Sequence, residues 1–212
     1  MSTKVPEWAE SVAHSILLGV KAKDPFTYYH CCRVGLAARK LGKFIGLDEF
    51  QQSILEYSGL FHDIGKVSIA DNILLKPARL TDKEYKAMKS HSEISALMIK
   101  PLADYNRFFK LLIPGIRYHH ERVDGKGYPH NLSGGKIPIT ARVISIVDTV
   151  DAMTNTRPYR KGLTMEIAKA ELLKFSGQQF DTGLVRSYLK SLELSEKEDA
   201  SALVSEQLLK VA

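Results

Sequence analysis

Cysteine is nearly absent from this chain: there are two, Cys31 and Cys32, adjacent to each other in an apolar helical stretch. Neighbouring cysteines rarely bridge one another, and two cannot make a disulfide framework, so they read as buried free thiols. Long apolar runs are missing as well. No stretch reaches 18 apolar residues, which argues against a membrane-spanning helix. The amino-terminal MSTKVPEWAE lacks the apolar core of a secretory signal, so a cytoplasmic location is expected. There is no internal repeat, low-complexity tract or Gly/Ser linker. The net charge is +6, yet Arg39, Lys40, Lys43, Lys83, Lys86 and Lys89 are scattered instead of forming one patch interleaved with aromatics. That distribution fits a solvated basic surface and argues against a nucleic acid polymer as partner. It still favours an anionic small substrate through long-range steering.

What is present is helical periodicity. A chain of 212 residues with 44% apolar content is long enough for one domain with a full core, residues 1–212. Trp8, Val12, Ile16 and Leu17 share one apolar face, predicting an amino-terminal accessory helix over 6–22 with Pro6 in its first turn. Asp24-Pro25 reads as an N-cap followed by a first-turn proline. Asp48 to Gln51 has the form of a capping box for a third helix running through Phe61, and Thr81 with Glu84 forms another. Further helices are expected at about 92–100, 104–120, 139–154, 165–175, 182–193 and 196–211, with Pro114 kinking or dividing the second of these. The stretch 121–138 is rich in glycine and proline, and a loop of that length in a compact domain is usually functional or disordered. The expected fold is all-α, a helical bundle beside a long glycine-rich loop.

Five of the seven histidines fall in a spaced series with two aspartates: His30, His62-Asp63, His91, His119-His120 and Asp148. Imidazole nitrogens and carboxylate oxygens suit Mn, Fe, Ni, Co or Zn, and a carboxylate can bridge two such ions. Taken singly, each member has a plainer explanation. His62-Asp63 could be a buried ion pair or a helix-end cap, and His119-His120 a surface pair. His91 could be exposed and His30 a hydrogen-bonded core residue. Asp148 stands among valine and isoleucine, where a carboxylate needs a cation or hydrogen-bond donors. As a set, the series reads as a two-metal hydrolase site. Asp151, three residues past Asp148, faces a similar direction and is expected to support a ligand. His14 and His130 fit no part of the pattern and read as surface residues.

The segments Phe61-His-Asp-Ile-Gly-Lys66 and His119-His-Glu-Arg-Val-Asp-Gly-Lys-Gly-Tyr-Pro129 resemble the HD-GYP subgroup of the HD-superfamily phosphohydrolases. Supporting stretches are Asp24–His30, Lys89–Glu93, Val147–Met153 and Arg157-Pro-Tyr-Arg160, so the resemblance covers about residues 24–185. It implies an HD-domain bundle whose metal centre, with a bridging hydroxide, hydrolyses cyclic di-GMP to pGpG or GMP. Carried over by position, it gives one ion to His30, His62, Asp63 and Asp148 and a second to Asp63, His91, His119 and His120. Fe or Mn is expected, with Ni, Co or Zn as alternatives. Asp63 and Lys66 would serve catalysis, and Lys66, Gly127, Tyr128, Arg157 and Arg160 would bind substrate. Family members with a third metal carry a glutamate one turn before the first histidine ligand. Phe26 stands there, a ring that cannot ligate and would fill the space, so two ions are predicted. Asn155-Thr156 departs from the Ser-Asp often found in the family. The residues before the core are too few for a sensory or receiver domain, so none is expected from this sequence and the resemblance leaves regulation unexplained. Expected partners are cyclic di-GMP and possible signalling proteins such as a diguanylate cyclase. The alternatives are an HD phosphohydrolase of another cyclic dinucleotide or nucleotide, and a cyclic di-GMP-binding adaptor with little turnover.

Overall fold

Local chemistry at the helix starts explains most of the element order in the computed structural model, which describes residues 4–156 and 161–209, from 196 onward by backbone alone. Asp24 caps α2 (Pro25–Phe44), its carboxylate accepting the N–H groups of Phe26 and Thr27 at 3.0 and 3.3 Å, with Pro25 in the first turn. Asp48 and Gln51 close a reciprocal box at the start of α3 (Glu49–Phe61). Thr81 and Glu84 do the same for α5 (Asp82–Lys89). The helices α8 (Ile139–Thr154) and α9 (Met165–Lys174) lie where periodicity placed them. Among the described residues there is no β-strand, and no helix is long and apolar enough to cross a membrane.

Four boundaries differ from expectation. The first helix, α1 (Ala9–Lys23), begins after Pro6, whose carbonyl only accepts the Ala9 N–H at 2.9 Å. Trp8 caps it, the indole stacked on Phe109 with ring centroids 5.2 Å apart. The second difference is the joint between α6 (His91–Tyr105) and α7 (Arg107–Tyr118), which falls at Asn106. The Asn106 side chain accepts the Phe108 N–H at 2.8 Å, so a cap sets the break, while Pro101 and Pro114 lie inside unbroken helices. Third, a 3-10 turn over Ile64–Ser68 and the one-turn helix α4 (Asp71–Leu74) fill a stretch too short for periodicity to reveal. Fourth, α10 (Thr182–Leu209) is continuous where two helices, 182–193 and 196–211, were expected. Nothing between Glu193 and Glu196 is glycine or proline, so no residue there stops it.

Two buried clusters form the core. One joins Ala9, Ala13, Leu17 and Val20 of α1 to Phe61, Ile99, Phe109 and Leu112. The other joins Val34 and Leu41 of α2 to Val143, Val147, Leu172 and Val185. The second and third helices feed both clusters and therefore sit at the centre. They cross at glycine: a Cβ on Gly59 would lie 2.8 Å from the Cα of Gly35 and 2.9 Å from its N. This close crossing sets the relative positions of His30 on α2 and His62 at the end of α3. A similar constraint joins the 3-10 turn to α6, because a Cβ on Gly65 would run into the His91 carbonyl oxygen, and the Gly65 N–H donates to Ser95 Oγ at 2.8 Å. Gly59→Ala is accordingly expected to destabilise the protein by about 1–3 kcal/mol through overpacking, measured as a lowered midpoint in thermal or denaturant unfolding.

Candidate metal centre

Seven side chains from five parts of the bundle meet at one end of it. His30 comes from α2, and His62 caps the C-terminus of α3 with Asp63 immediately after it. His91 opens α6, His119 caps α7 with His120 next, and Asp148 projects from α8. His30, His62, Asp63, His91 and His119 are buried, while His120 and Asp148 are half-buried. Asp63 Oδ2 lies 3.5 Å from His30 Nε2 and 3.4 Å from His62 Nε2, and its Oδ1 lies 3.1 Å from His91 Nε2. Asp148 Oδ1 is 3.0 Å from His30 Nε2 and 3.8 Å from His62 Nε2. The Nε2 atoms of His119 and His120 lie 3.4 and 3.2 Å from that of His91.

Hydrogen bonds on the outer ring nitrogens set the tautomers. His62, His91 and His119 each donate Nδ1–H to a backbone carbonyl three residues back, at Gly59, Met88 and Ile116, over 2.7, 2.7 and 2.8 Å. A carbonyl can only accept, so in each neutral ring Nε2 carries a lone pair directed inward. His62 Nε2 and Asp63 Oδ1 are buried with no hydrogen-bond donor. His91 and His119 present acceptor to acceptor. Buried acceptors facing one another are unfavourable unless a cation lies among them. Three groups of these side chains (His30, His62, Asp63; His91, His119, His120; His62, His119, Asp148) bring ligand atoms within 4.8 Å of each other. The donor set thus fits divalent ions with nitrogen and oxygen preference.

The charge states agree with that fit. Burial opposes the charge of Asp63, yet the Lys66 ammonium, 2.5 Å from its Oδ2, holds the carboxyl well below the usual range. Burial opposes Asp148 as well, and its bond with His30 outweighs this and keeps it ionised. Burial keeps His119 and His120 neutral, the latter pushed down to about 3. His30 goes the other way. Burial alone would lower it, but hydrogen bonds to Asp148 and Asp151 carry it to about 9. Asp151 accepts from His30 Nδ1 at 2.7 Å and from Arg33 Nε and Nη2 at 2.6 and 2.9 Å, so it supports His30 as expected from its spacing.

A cavity of about 920 Å³ opens beside the cluster, lined by His120 and Asp148 and by Tyr85, Lys126, Gly127 and Tyr128, among others. That volume lies in the range of small-molecule sites, about 300–1,000 Å³. Its wall is the 121–138 loop, ordered by its own polar groups. Buried Glu121 accepts the N–H groups of His130 and Leu132 at 2.7 and 2.9 Å, and Asp124 accepts that of Lys126 at 3.1 Å. Gly125 takes a left-handed φ of +77°, and a Cβ on Gly127 would run into the backbone of residues 120–122. The Tyr128 ring stacks on His120 at 4.7 Å between centroids, and burial raises its phenol. Arg157 and Arg160 lie outside the described residues. Phe26 is 52% exposed and so does not fill an interior space, and it offers no ligand atom. His14 and His130 are exposed, as expected, while Cys31 is buried and Cys32 half-buried, both free. Sequence reasoning missed Arg33 and the anchoring role of Glu121. Arg33 lies three residues after His30 and so shares its helical face, which was the available signal.

Two measurements follow from this geometry. Removing the carboxylate in Asp151→Ala should weaken divalent metal binding by about 10–100-fold, read by competition with a chelating indicator. Because His30 holds its proton to about pH 9 in the metal-free protein, ion binding near neutral pH should release about one proton from it. Titration calorimetry in buffers of different ionisation enthalpy would count that proton, and affinity should rise with pH towards 9. The sign for stability is opposite. The raised pKa stabilises the metal-free fold fully below pH 6.5, and that contribution is lost as pH rises through about 9.

The HD domain family model matches residues 19–184. A cyclic di-GMP phosphodiesterase response regulator of Xanthomonas campestris pv. campestris is 33% identical over 187 residues, 88% of this chain and 49% of that protein. A 3'3'-cGAMP-specific phosphodiesterase of Vibrio cholerae is 34% identical over 191 residues, 87% of this chain and 43% of that protein. The chain therefore spans half or less of the length of these relatives. The crystal structure of a cyclic GMP-AMP specific phosphodiesterase from Vibrio cholerae superposes with a TM-score of 0.65 at 18% identity, covering 86% of this chain and 48% of that one. This last likeness concerns the fold alone. With the family model spanning most of the chain and the histidine and aspartate series lying inside the matched stretch, the chain belongs to the HD domain family and is of the HD-GYP type.

Proposed function

We propose that this chain is a metal-dependent phosphodiesterase of cyclic dinucleotides, with cyclic di-GMP as its substrate and pGpG or GMP as product. The observation that carries the reading is the convergence of seven metal-capable side chains beside a cavity of about 920 Å³. His30, His62, Asp63 and Asp148 would hold one ion, and Asp63, His91, His119 and His120 the other, Fe or Mn in each case. Two of the groupings of ligand atoms within 4.8 Å, His30/His62/Asp63 and His91/His119/His120, fall within this division, while the third, His62/His119/Asp148, joins the two halves. Phe26, in place of a glutamate, supports two ions over three. When bound, such ions lower the pKa of water and offset charge on phosphoryl oxygens.

The remaining steps belong to the chain. Asp63 and Asp148 supply two negative charges, so a site holding two divalent ions there would keep net positive charge and favour a phosphodiester anion. Lys66, paired with Asp63 at 2.5 Å, is one turn from His62 and placed to turn its ammonium to the scissile phosphate or the departing oxygen. Gly127 and Tyr128 shape the wall over His120, and the Tyr128 hydroxyl and ring offer a hydrogen bond or a stacking face to substrate. Arg157 and Arg160 would give bidentate contacts to a guanine edge or a phosphate.

A second reading, the same hydrolysis of a mixed guanine–adenine cyclic dinucleotide, is favoured by relatives named for 3'3'-cGAMP. Turnover decides. Protein loaded separately with Mn and with Fe should convert cyclic di-GMP to pGpG or GMP, resolved by chromatography, and Asp63→Ala should yield no product. Product from 3'3'-cGAMP alone would transfer the assignment to the second reading. Binding of either nucleotide without product, with metal confirmed in place, would overturn the enzyme and favour a signalling adaptor.

A further inference from the structure

The cavity beside the metal cluster carries a cation that the chemistry above leaves unused. Among the described residues lining it, Arg122 and Lys126 are the lysine and arginine side chains. Arg122 is committed: Nε and Nη2 hold Asp124 at 3.0 and 2.7 Å, and Nη1 reaches Gln179 Oε1 at 2.9 Å. Lys126 is exposed, and its ammonium makes no salt bridge among the described residues. Asp124, whose charge it feels, is already bonded by the Arg122 guanidinium and by the Lys126 N–H. The Lys126 backbone is held on both sides, by the Gly125 N–H on the Arg122 carbonyl at 2.8 Å and its own N–H on Asp124 at 3.1 Å, and by Gly127 pressed against residues 120–122. A free ammonium on a flexible stem is thus held at the cavity by a backbone that cannot easily move.

A cyclic dinucleotide closes its ring through two phosphodiesters, each carrying one negative charge. Cleavage engages one of them at the His/Asp cluster, and the other enters the same cavity still charged. Burying it against the cavity wall without a cation would be unfavourable. We infer that Lys126 binds the second, uncleaved phosphate of a cyclic dinucleotide. This rests on the reading of the site as a cyclic dinucleotide phosphodiesterase. The compact charge of an ammonium on four rotatable carbons suits a phosphate whose position shifts as the ring is opened. The contact favours substrates with two phosphodiesters over those with one.

The test compares cyclic di-GMP with bis(p-nitrophenyl) phosphate, a single phosphodiester, on Mn-loaded wild type, Lys126→Ala and Lys126→Arg. The ratio of kcat/KM for cyclic di-GMP to that for the single diester should fall about ten-fold or more in Lys126→Ala, the size of a lost charge-assisted hydrogen bond. The loss should reside mainly in KM, and Lys126→Arg should recover most of it. A ratio unchanged in Lys126→Ala overturns the inference while leaving the phosphodiesterase reading in place. A wild type that cleaves the single diester but neither cyclic di-GMP nor 3'3'-cGAMP overturns that reading, and the inference with it.

Discussion

A carboxylate buried to 2% exposure among three imidazoles is costly to keep charged, and the way the chain meets that cost at Asp63 governs its surroundings. Lys66 supplies one positive charge, three residues on, in the middle of a 3-10 segment rather than on a continuing helix. The close approach of this segment to α6 requires Gly65, where a Cβ would run into the His91 carbonyl oxygen and the Ser95 nitrogen. That contact in turn brings His91 to within 3.1 Å of the carboxylate. The charge, the change of helix type and the glycine are therefore parts of one arrangement, and altering any of them moves a candidate ligand.

The histidines around Asp63 solve a second problem at the same time. The last carbonyls of an α-helix have no intrahelical donor. Gly59, Met88 and Ile116 lie in the last turns of α3, α5 and α7, and their carbonyls accept Nδ1–H from His62, His91 and His119. One bond thus terminates a helix, fixes an imidazole tautomer and turns Nε2 inward. His30 is held differently, in mid-helix, and has no free carbonyl to use. There Asp151 replaces the carbonyl and Arg33 steadies Asp151. A carboxylate is a stronger partner than a carbonyl, and the bonds to Asp148 and Asp151 together outweigh burial and carry His30 to about 9 in the metal-free protein.

Much of this was legible in the sequence where the cause is local. The caps at Asp24, Asp48 and Thr81 act over three residues, and each appears as expected. The joint at Asn106 was hidden, because the apolar pattern runs through it and only a side-chain bond marks the break. The candidate ligands were visible as polar residues in apolar segments, and the resemblance tied them together. What spacing cannot encode is pairing across the chain, such as Arg33 with Asp151, or Arg122 with Gln179. An arginine on a helix reads as solvated until its partner is known. Glu121 was hidden in another way, since its carboxylate binds backbone, and backbone donors leave no trace in the residue types around it.

The loop that forms the cavity wall is held by bonds that require no ligand: Glu121 to two N–H groups, Arg122 to Asp124, and Gly127 against the preceding backbone. Tyr128 is consequently stacked over His120 before any substrate arrives. Such pre-organisation separates two tasks. On the proposed function, the His/Asp cluster would meet a feature that every phosphodiester shares, whereas the loop, Tyr85 on α5 and the face of α8 would decide which molecule fits beside it. Relatives named for cyclic di-GMP and for 3'3'-cGAMP match 88% and 87% of this chain at 33% and 34% identity. Bases differ between those nucleotides but the bonds to be cleaved do not, so on the proposed function selectivity between them would belong to the cavity wall and not to the buried cluster.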